Sequence, residues 1–517
     1  MYERRISALT IIPEKAMKKY LTVIVLGACM CVSYLLLSYR LDLLSYWGDE
    51  VGSILYARND FLPMIRVLLK EDVHPPLYYC VLHWWMVFFG EGEYALRFLS
   101  LIPALLSLIA VYALAEKLFN RTVAVLTVVL MALSPECLIF GRMVRYYSWA
   151  LLCATCATYF FVRFLQDGSR ASVAWYVVSA TILLYMTYTP LSVLIAHNVI
   201  LLCGIREYRG MIKRWVIGQI AVGLLYLPCI ILFIMMMLRM AQEGLPPSDF
   251  SRGLSGVVMK IGYSLYAFGF GETLFPWRLW AVIPAGIVLV CALFRASVRM
   301  NRQVFAVLVL LGVPLLFTTA ILSTVKTSSS FLYTPSRTLF ALPYFYLLIA
   351  YGIDSMRPAW LKWGAAGVLV VVSSIAISNY FRGKDYIMPT YLAPWNGVLR
   401  EVQQAAAPDD VVVGEETREF DYYYNREGYR FRFCIEEGEA QRHLAAHPSA
   451  RVFYIKTGRD HQPSGLSEEF AGWVQDNYRL VSRKGYAATD ETYARFKKLL
   501  LKREPYRYKM ELLEFEK

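Results

Sequence analysis

The sequence predicts a polytopic α-helical membrane protein with about 11–13 transmembrane helices, followed by a small C-terminal α/β soluble domain. Three observations predict it. Hydrophobic residues make up 57% of the 517-residue chain and charged residues 18%, with a mean hydropathy of +0.42, whereas soluble proteins are about a quarter charged. The apolar residues fall in blocks of about 17–25, the length that crosses a hydrocarbon core about 30 Å thick. After Arg382 charges become frequent, and short strand-like runs alternate with helix-like stretches.

The first block, 20–40, follows a basic flank of Arg4, Arg5, Lys15, Lys18 and Lys19, with no small-residue cleavage site behind it. That pattern predicts an uncleaved first span with a cytoplasmic N-terminus, so the next loop, 41–73, lies outside. Ile54, Leu55, Met64, Ile65, Leu68 and Leu69 recur in that loop at helical spacing, which predicts short helices on the membrane surface. Further blocks lie near 76–90, 95–117, 122–141, 146–166, 172–189, 190–205 and 213–240. A polar interval at 241–276 is rich in Gly, Pro and aromatics. Four more blocks follow, near 278–295, 303–324, 337–354 and 361–380. Strict alternation would put the acidic link 90–93 inside and the basic link 116–121 outside, against the usual charge bias. Whether 76–90 is a simple span therefore stays open. The membrane domain is expected over 1–384 and the soluble domain over 385–517, with strands near 411–413 and 451–455 and helices near 396–406 and 440–446.

The net charge of +13 sits mainly in short links between apolar blocks and in the C-terminal tail. Basic links are topology determinants and contacts for membrane lipid headgroups, so no nucleic-acid partner is expected. Of ten cysteines, only Cys434 lies in the polar C-terminal region, so no disulfide can form within it. Cys153 and Cys156 stand one helical turn apart in the apolar run 149–161 and read as packing residues. His197, alone in an apolar helix, reads as structural.

Ionisable residues beside membrane helices are costly, which makes them functional candidates. Trp47-Gly48-Asp49-Glu50 follows the first helix. A carboxylate there can deprotonate a hydroxyl, or the pair can help hold a divalent ion such as Mg or Mn. A solvated turn is the alternative. His74-Pro75-Pro76-Leu77-Tyr78-Tyr79 opens the next block. Its prolines suit a first helical turn and set His74 beside a helix N-terminus, a favourable place for phosphate, or simply an interfacial histidine. Arg142 and Arg145-Tyr146-Tyr147-Ser148 follow Ser134-Pro135-Glu136. Two guanidiniums at a helix junction can clamp a phosphate bidentately, or face lipid headgroups. Arg97 and Tyr333-Thr334-Pro335-Ser336-Arg337 each place an arginine where an apolar block begins, with interfacial snorkelling as the other reading.

The order of these motifs resembles the GT-C superfamily, and within it the protein mannosyltransferase and aminoarabinose transferase group, particularly its bacterial family-39-like, galacturonosyltransferase-like members. The resemblance runs through about residue 425. Thr189-Pro190 stands where relatives tend to carry Thr-His, and some relatives have lysine in place of His74. The resemblance implies a glycosyltransferase of the plasma (inner) membrane whose site faces the periplasm. Its donor would be a polyprenyl-phosphate sugar, and its acceptor hydroxyl would belong to a glycan, lipid or protein. Asp49 would be the base, with Glu50 beside it. The phosphate would be met by His74, Arg142, Arg145, Tyr147, Arg337 and Arg97, and the anomeric configuration would invert. The interval 241–276 would cover the donor, and the trailing domain would help bind the acceptor.

A polytopic transporter or lipid flippase is the rival reading. It would bury charges at mid-membrane and show inverted repeats, and no internal repeat is evident. The discriminating expectation is convergence of Asp49, His74, Arg142 and Arg145 in one outer-face cavity.

Overall fold

The computed structural model describes residues 14–71, 74–243, 253–324, 333–414, 417–429, 431–434, 436–459, 468–501 and 508–517. The membrane part begins with α1 (Glu14–Ser38), α2 (Gly48–Arg58), α3 (Phe61–Glu71), α4 (Leu77–Phe89), α5 (Glu93–Leu118), α6 (Arg121–Ala132), α7 (Pro135–Gly141), α8 (Tyr147–Asp167) and α9 (Arg170–Met186). It continues with α10 (Leu191–Cys203), α11 (Ile212–Glu243), α12 (Gly253–Phe270), α13 (Leu279–Val298), α14 (Arg302–Thr324), α15 (Thr334–Thr338), α16 (Leu342–Asp354) and α17 (Ala359–Arg382).

Six helical segments among the described residues are long and apolar enough to cross a membrane, and a seventh if α6 and α7, bent by 54° at their junction, count as one. Four shorter apolar helices accompany them. The roughly twelve apolar blocks of the sequence thus divide into full-length spans and shorter pieces. The 13-residue α4 is one of the latter. At 1.5 Å per residue it rises about 20 Å, short of a hydrocarbon core of about 30 Å. That agrees with the charge pattern flanking it.

The break between α6 and α7 has a local cause. Ser134 accepts a hydrogen bond from the Cys137 amide as an N-cap, and Pro135 stands in the first turn of α7, where its missing N–H costs nothing. Along α13, Trp280, Ile287, Val290 and Phe294 are exposed, while Ala285, Ala292 and Ala296 are buried. This is the division expected of a helix with one face to lipid and a small-residue face to its neighbours. Of the 241–276 interval, α12 is described and 244–252 lies outside the described residues, as does 326–330 before Tyr333.

The expected surface helices of 41–73 are α2 and α3. α2 is no surface element on its buried side: Glu50, Val51, Gly52, Ser53, Ile54 and Ala57 all face protein.

The C-terminal part comprises α18 (Trp395–Ala405), β1 (Val411–Gly414), α19 (Arg418–Glu427), β2 (Arg432–Cys434), α20 (Glu437–Ala446), β3 (Val452–Arg459), α21 (Glu468–Asn477), β4 (Arg479–Ala488), α22 (Glu491–Leu501) and β5 (Tyr508–Glu516). The strand order is β2-β1-β3-β5-β4, with β1 parallel to β2 and β3 and β5 antiparallel to β3 and β4. β1 is an uninterrupted apolar run because it is buried on both faces. Side chains alternate across the sheet. Val412, Phe453 and Ile455 join the large core shared with the membrane helices, while Val411, Val413, Val452 and Tyr454 pack a smaller core with α20 and α21. The soluble domain is therefore seated on the membrane domain through α18, α19 and one face of its sheet. All ten cysteines are free.

Candidate active site

The site is built around the N-terminus of α2. Successive helical residues point about 100° apart, so Gly48, Asp49 and Glu50 leave the helix in three directions.

Glu50 points inward. Its Oε2 lies 3.1 Å from Arg97 Nη2 and its Oε1 accepts from Arg97 Nε at 3.2 Å. The Val144 amide donates to Oε1 at 2.9 Å, and the Trp47 amide to Oε2 at 3.3 Å. Arg97 also donates to the carbonyls of Leu41, Leu44 and Ser45, and its guanidinium lies 4.9 Å from the Tyr46 ring centroid. The pair is almost wholly buried, with side-chain exposures of 5% for Arg97 and 2% for Glu50. It ties the 41–50 loop to α5.

Asp49 points toward α8. Its carboxylate is 48% exposed and lies 3.8 Å from Arg145 Nη2. Arg145 Nη1 donates to Ser53 Oγ at 2.8 Å and to the Asp49 carbonyl at 3.3 Å. Arg145 Nε is buried with no hydrogen-bond partner among the described residues. Burial opposes the charge of Arg145, and the Asp49 carboxylate beside it favours the guanidinium. The Tyr146 ring lies 5.1 Å from that guanidinium, and the His74 ring is 5.3 Å from Tyr146. Tyr147 is buried beside Ser336, the neighbour of Arg337. Tyr391 lies among Asp49, Tyr147, Tyr333 and Glu272, and Trp47 is stacked on Tyr333 and edge-on to Tyr391.

Arg142 turns the other way. It donates to the carbonyls of Leu36, Tyr39 and Arg40, closing the C-terminal end of α1, where backbone carbonyls lack helical partners. A small cavity, with room for about a water molecule, lies behind Trp47, between Glu50, Arg97, Arg142, Met143, Tyr380 and Tyr391.

The structure thus links Asp49 to Arg145, and Arg145 to Tyr147 and through the Tyr146 ring to His74, with Ser336, the neighbour of Arg337, beside Tyr147. It sets Glu50, Arg97 and Arg142 behind them, each engaged by protein groups. This departs from the expectation for those three: each Glu50 oxygen already accepts two hydrogen bonds, all five Arg97 N–H groups donate to Glu50 and to backbone carbonyls, and Arg142 donates to three backbone carbonyls. The expected cation site at the Asp49-Glu50 pair does not fit either, because the two carboxylates diverge toward different arginines. Among the described residues no group of three or more His, Cys, Asp or Glu side chains could hold a metal.

Two features were passed over in the sequence. Lys260 in α12 is fully buried, donates to the Leu322 carbonyl and Ser323 Oγ, and lies within electrostatic reach of Arg337. A lone lysine in an apolar helix was the available signal. Glu272 and Glu136 are buried carboxyl neighbours. Glu136 was visible only as part of Ser134-Pro135-Glu136, and Glu272 stands in a Gly-rich loop without a distinguishing pattern. His197 bonds Thr158 inside the bundle, its ring stacked on Phe161.

Residues 73–238 match the family model described as dolichyl-phosphate-mannose-protein mannosyltransferase, a stretch that includes His74, Arg97, Arg142, Arg145 and Tyr147. The fold is similar to the crystal structure of ArnT from Cupriavidus metallidurans in the apo state, at 12% identity and a TM-score of 0.53, covering 96% of this chain and 98% of that one. It is equally similar to the same protein bound to undecaprenyl phosphate, at 11% identity, a TM-score of 0.52 and the same coverage of 96% and 98%. No curated protein sequence matches the chain.

Proposed function

We propose that this multi-pass membrane glycosyltransferase, of the GT-C superfamily and the mannosyltransferase/ArnT type, moves a sugar from a polyprenyl-phosphate donor to an acceptor hydroxyl at the outer face of the inner membrane. Asp49 is the general base. The observation that carries this reading is the Asp49–Arg145 pair, where a half-exposed carboxylate meets a buried guanidinium that keeps a spare donor.

Asp49 takes the proton of the acceptor hydroxyl as its oxygen bonds the anomeric carbon. The bond from that carbon to the phosphate oxygen breaks, and the phosphate leaves with the electron pair. One displacement without an enzyme nucleophile inverts the anomeric centre, through an oxocarbenium-like state. Arg145 through Nε, with His74, Arg337 and Tyr147 nearby, offers positive charge and donors where the leaving charge develops. Glu50, Arg97 and Arg142 are positioning residues in this reading, since they hold the loop and helix ends that aim the others. Of the two adjacent carboxylates, Asp49 alone keeps oxygens available to a divalent ion. The undecaprenyl phosphate bound in the ArnT structure suggests the lipid class to try first.

The test is transfer from a synthetic undecaprenyl-phosphate sugar by purified protein in lipid nanodiscs. Asp49→Asn should lower the rate by about 10²–10⁴, the usual worth of a general base, while undecaprenyl phosphate still binds. Full transfer by that variant would remove Asp49 from the base role. Retained configuration in the product, read by NMR, would remove the single displacement.

A further inference from the structure

The loop that carries Asp49 is held from outside the membrane domain. Residues 45–47 have no regular structure, so hydrogen bonds to other parts of the chain set their course. The amide of Tyr46 donates to the Tyr423 hydroxyl at 2.8 Å, a bond between residues 377 apart in sequence. Tyr423 stands on α19 of the C-terminal domain, and its hydroxyl donates in turn to Glu93 Oε1 at the start of α5. Both tyrosines are fully buried, with rings stacked at 6.3 Å.

Two further contacts join the same pieces. The Asn396 amide, on α18, donates to Ser45 Oγ at 3.2 Å. The glycine face of α2 lies against α19, where a Cβ on Gly48 would stand 3.2 Å from Glu419 Oε1 and one on Gly52 would stand 3.5 Å from Arg418 Nη1. A methyl at Gly52 would make ordinary contact, while one at Gly48 would require the Glu419 carboxylate to give by a few tenths of an ångström. The residues on both sides of Trp47 are thus held by the soluble domain, and Asp49 is the next side chain but one.

We infer that Tyr423 is a positioning residue for Asp49, so that seating of the C-terminal domain is required for transfer. The inference rests on the base role of Asp49 proposed above. With the Tyr46 amide held, α2 begins where it does and its Asp49 carboxylate faces Arg145. Without it, the Tyr46 amide loses the bond that ties it to α19, and the carboxylate drifts relative to the acceptor. A misplacement of about 1 Å costs about 10²-fold in rate.

The experiment compares Tyr423→Phe with the parent in the full-length chain, with kcat expressed per undecaprenyl-phosphate-binding site titrated in the same sample. The phenyl ring keeps the packing and removes only the hydroxyl. The expected result is a fall of about 10–100-fold in kcat per site, with the donor KM within about threefold. Glu93→Gln, which leaves the Tyr46–Tyr423 bond in place, should stay within about threefold of the parent in both. An unchanged kcat per site, or a loss accounted for by fewer donor-binding sites, would overturn the inference and leave Tyr423 a stability residue. An equal loss in Glu93→Gln would overturn it as well. Asp49→Asn measured alongside separates the two claims. Full transfer by that variant overturns the base reading and this inference with it. Its loss, together with an unimpaired Tyr423→Phe, overturns this inference alone.

Discussion

Glu50 and Arg97 form a buried two-point ion pair behind the open site, with Nη2–Oε2 at 3.1 Å and Nε–Oε1 at 3.2 Å. Removing one partner of such a pair leaves a buried charge uncompensated and costs about 3–5 kcal/mol, whereas replacing both by apolar residues is often neutral. Glu50→Gln and Arg97→Met should each lower the thermal midpoint sharply, and the double variant Glu50→Leu/Arg97→Met should recover much of it. Loss of donor binding by Arg97→Met at an unchanged midpoint would instead make Arg97 a phosphate ligand.

Arg142 and Arg145 should part company under the same substitution. Arg142 serves three backbone carbonyls through its two terminal nitrogens, a fork that a lysine ammonium reproduces poorly. Arg142→Lys should lower the melting temperature and leave the donor KM within about twofold. Arg145→Lys should raise the donor KM about tenfold or more with little change in melting, because a lysine lacks the spare fork donor. Reversed effects would exchange the two roles.

Glu272 makes stability depend on pH. Burial pushes its carboxyl from 4.5 up to about 8, against the hydrogen bond it accepts from Tyr263, in a setting that includes Glu136. Between those values the folded state binds more protons than the unfolded state, so stability falls as pH rises. The contribution is complete below 4.5 and is lost as pH passes about 8. Melting curves between pH 5 and about 8 should decline more steeply for the parent than for Glu272→Gln. Parallel curves for the two proteins would show that the carboxyl titrates normally.

Gly352 should tolerate no side chain. A Cβ there would stand 2.0 Å from the Ala292 carbonyl oxygen, where α16 crosses α13, and backbone on both sides cannot yield as a flexible side chain would. Gly352→Ala should cost about 1–3 kcal/mol or more and reduce the yield of folded protein. Gly364→Ala, with nothing within 4 Å of the new methyl, should be neutral or mildly stabilising, since alanine is the better helix former. Equal behaviour of the two variants would mean that the α13–α16 crossing is looser than described.

The membrane class, the change of character after Arg382 and the clustering of charges at helix ends were legible in the sequence. Each depends on composition or on spacing along the chain. The roles within the clusters were not. Asp49 and Glu50 look alike as neighbours, yet a 100° turn of helix sends one toward solvent and Arg145 and the other into the Arg97 pocket. Arg142 and Arg145 look like one clamp, and the irregular residues between α7 and α8 send them to opposite sides. The 41–73 loop showed its helices, but not that α19, from about 370 residues further on, packs against α2.

What the sequence by itself determined is therefore the solvent of each segment and the order of its motifs, because burial in lipid and helix initiation are decided within a turn or two of chain. Only the tertiary structure decided which carboxylate remains open and which is locked, and that the hydroxyl of Tyr423 holds the loop before Asp49. Those outcomes depend on contacts between groups 47, 96 and 377 residues apart in sequence, whose geometry no local pattern encodes.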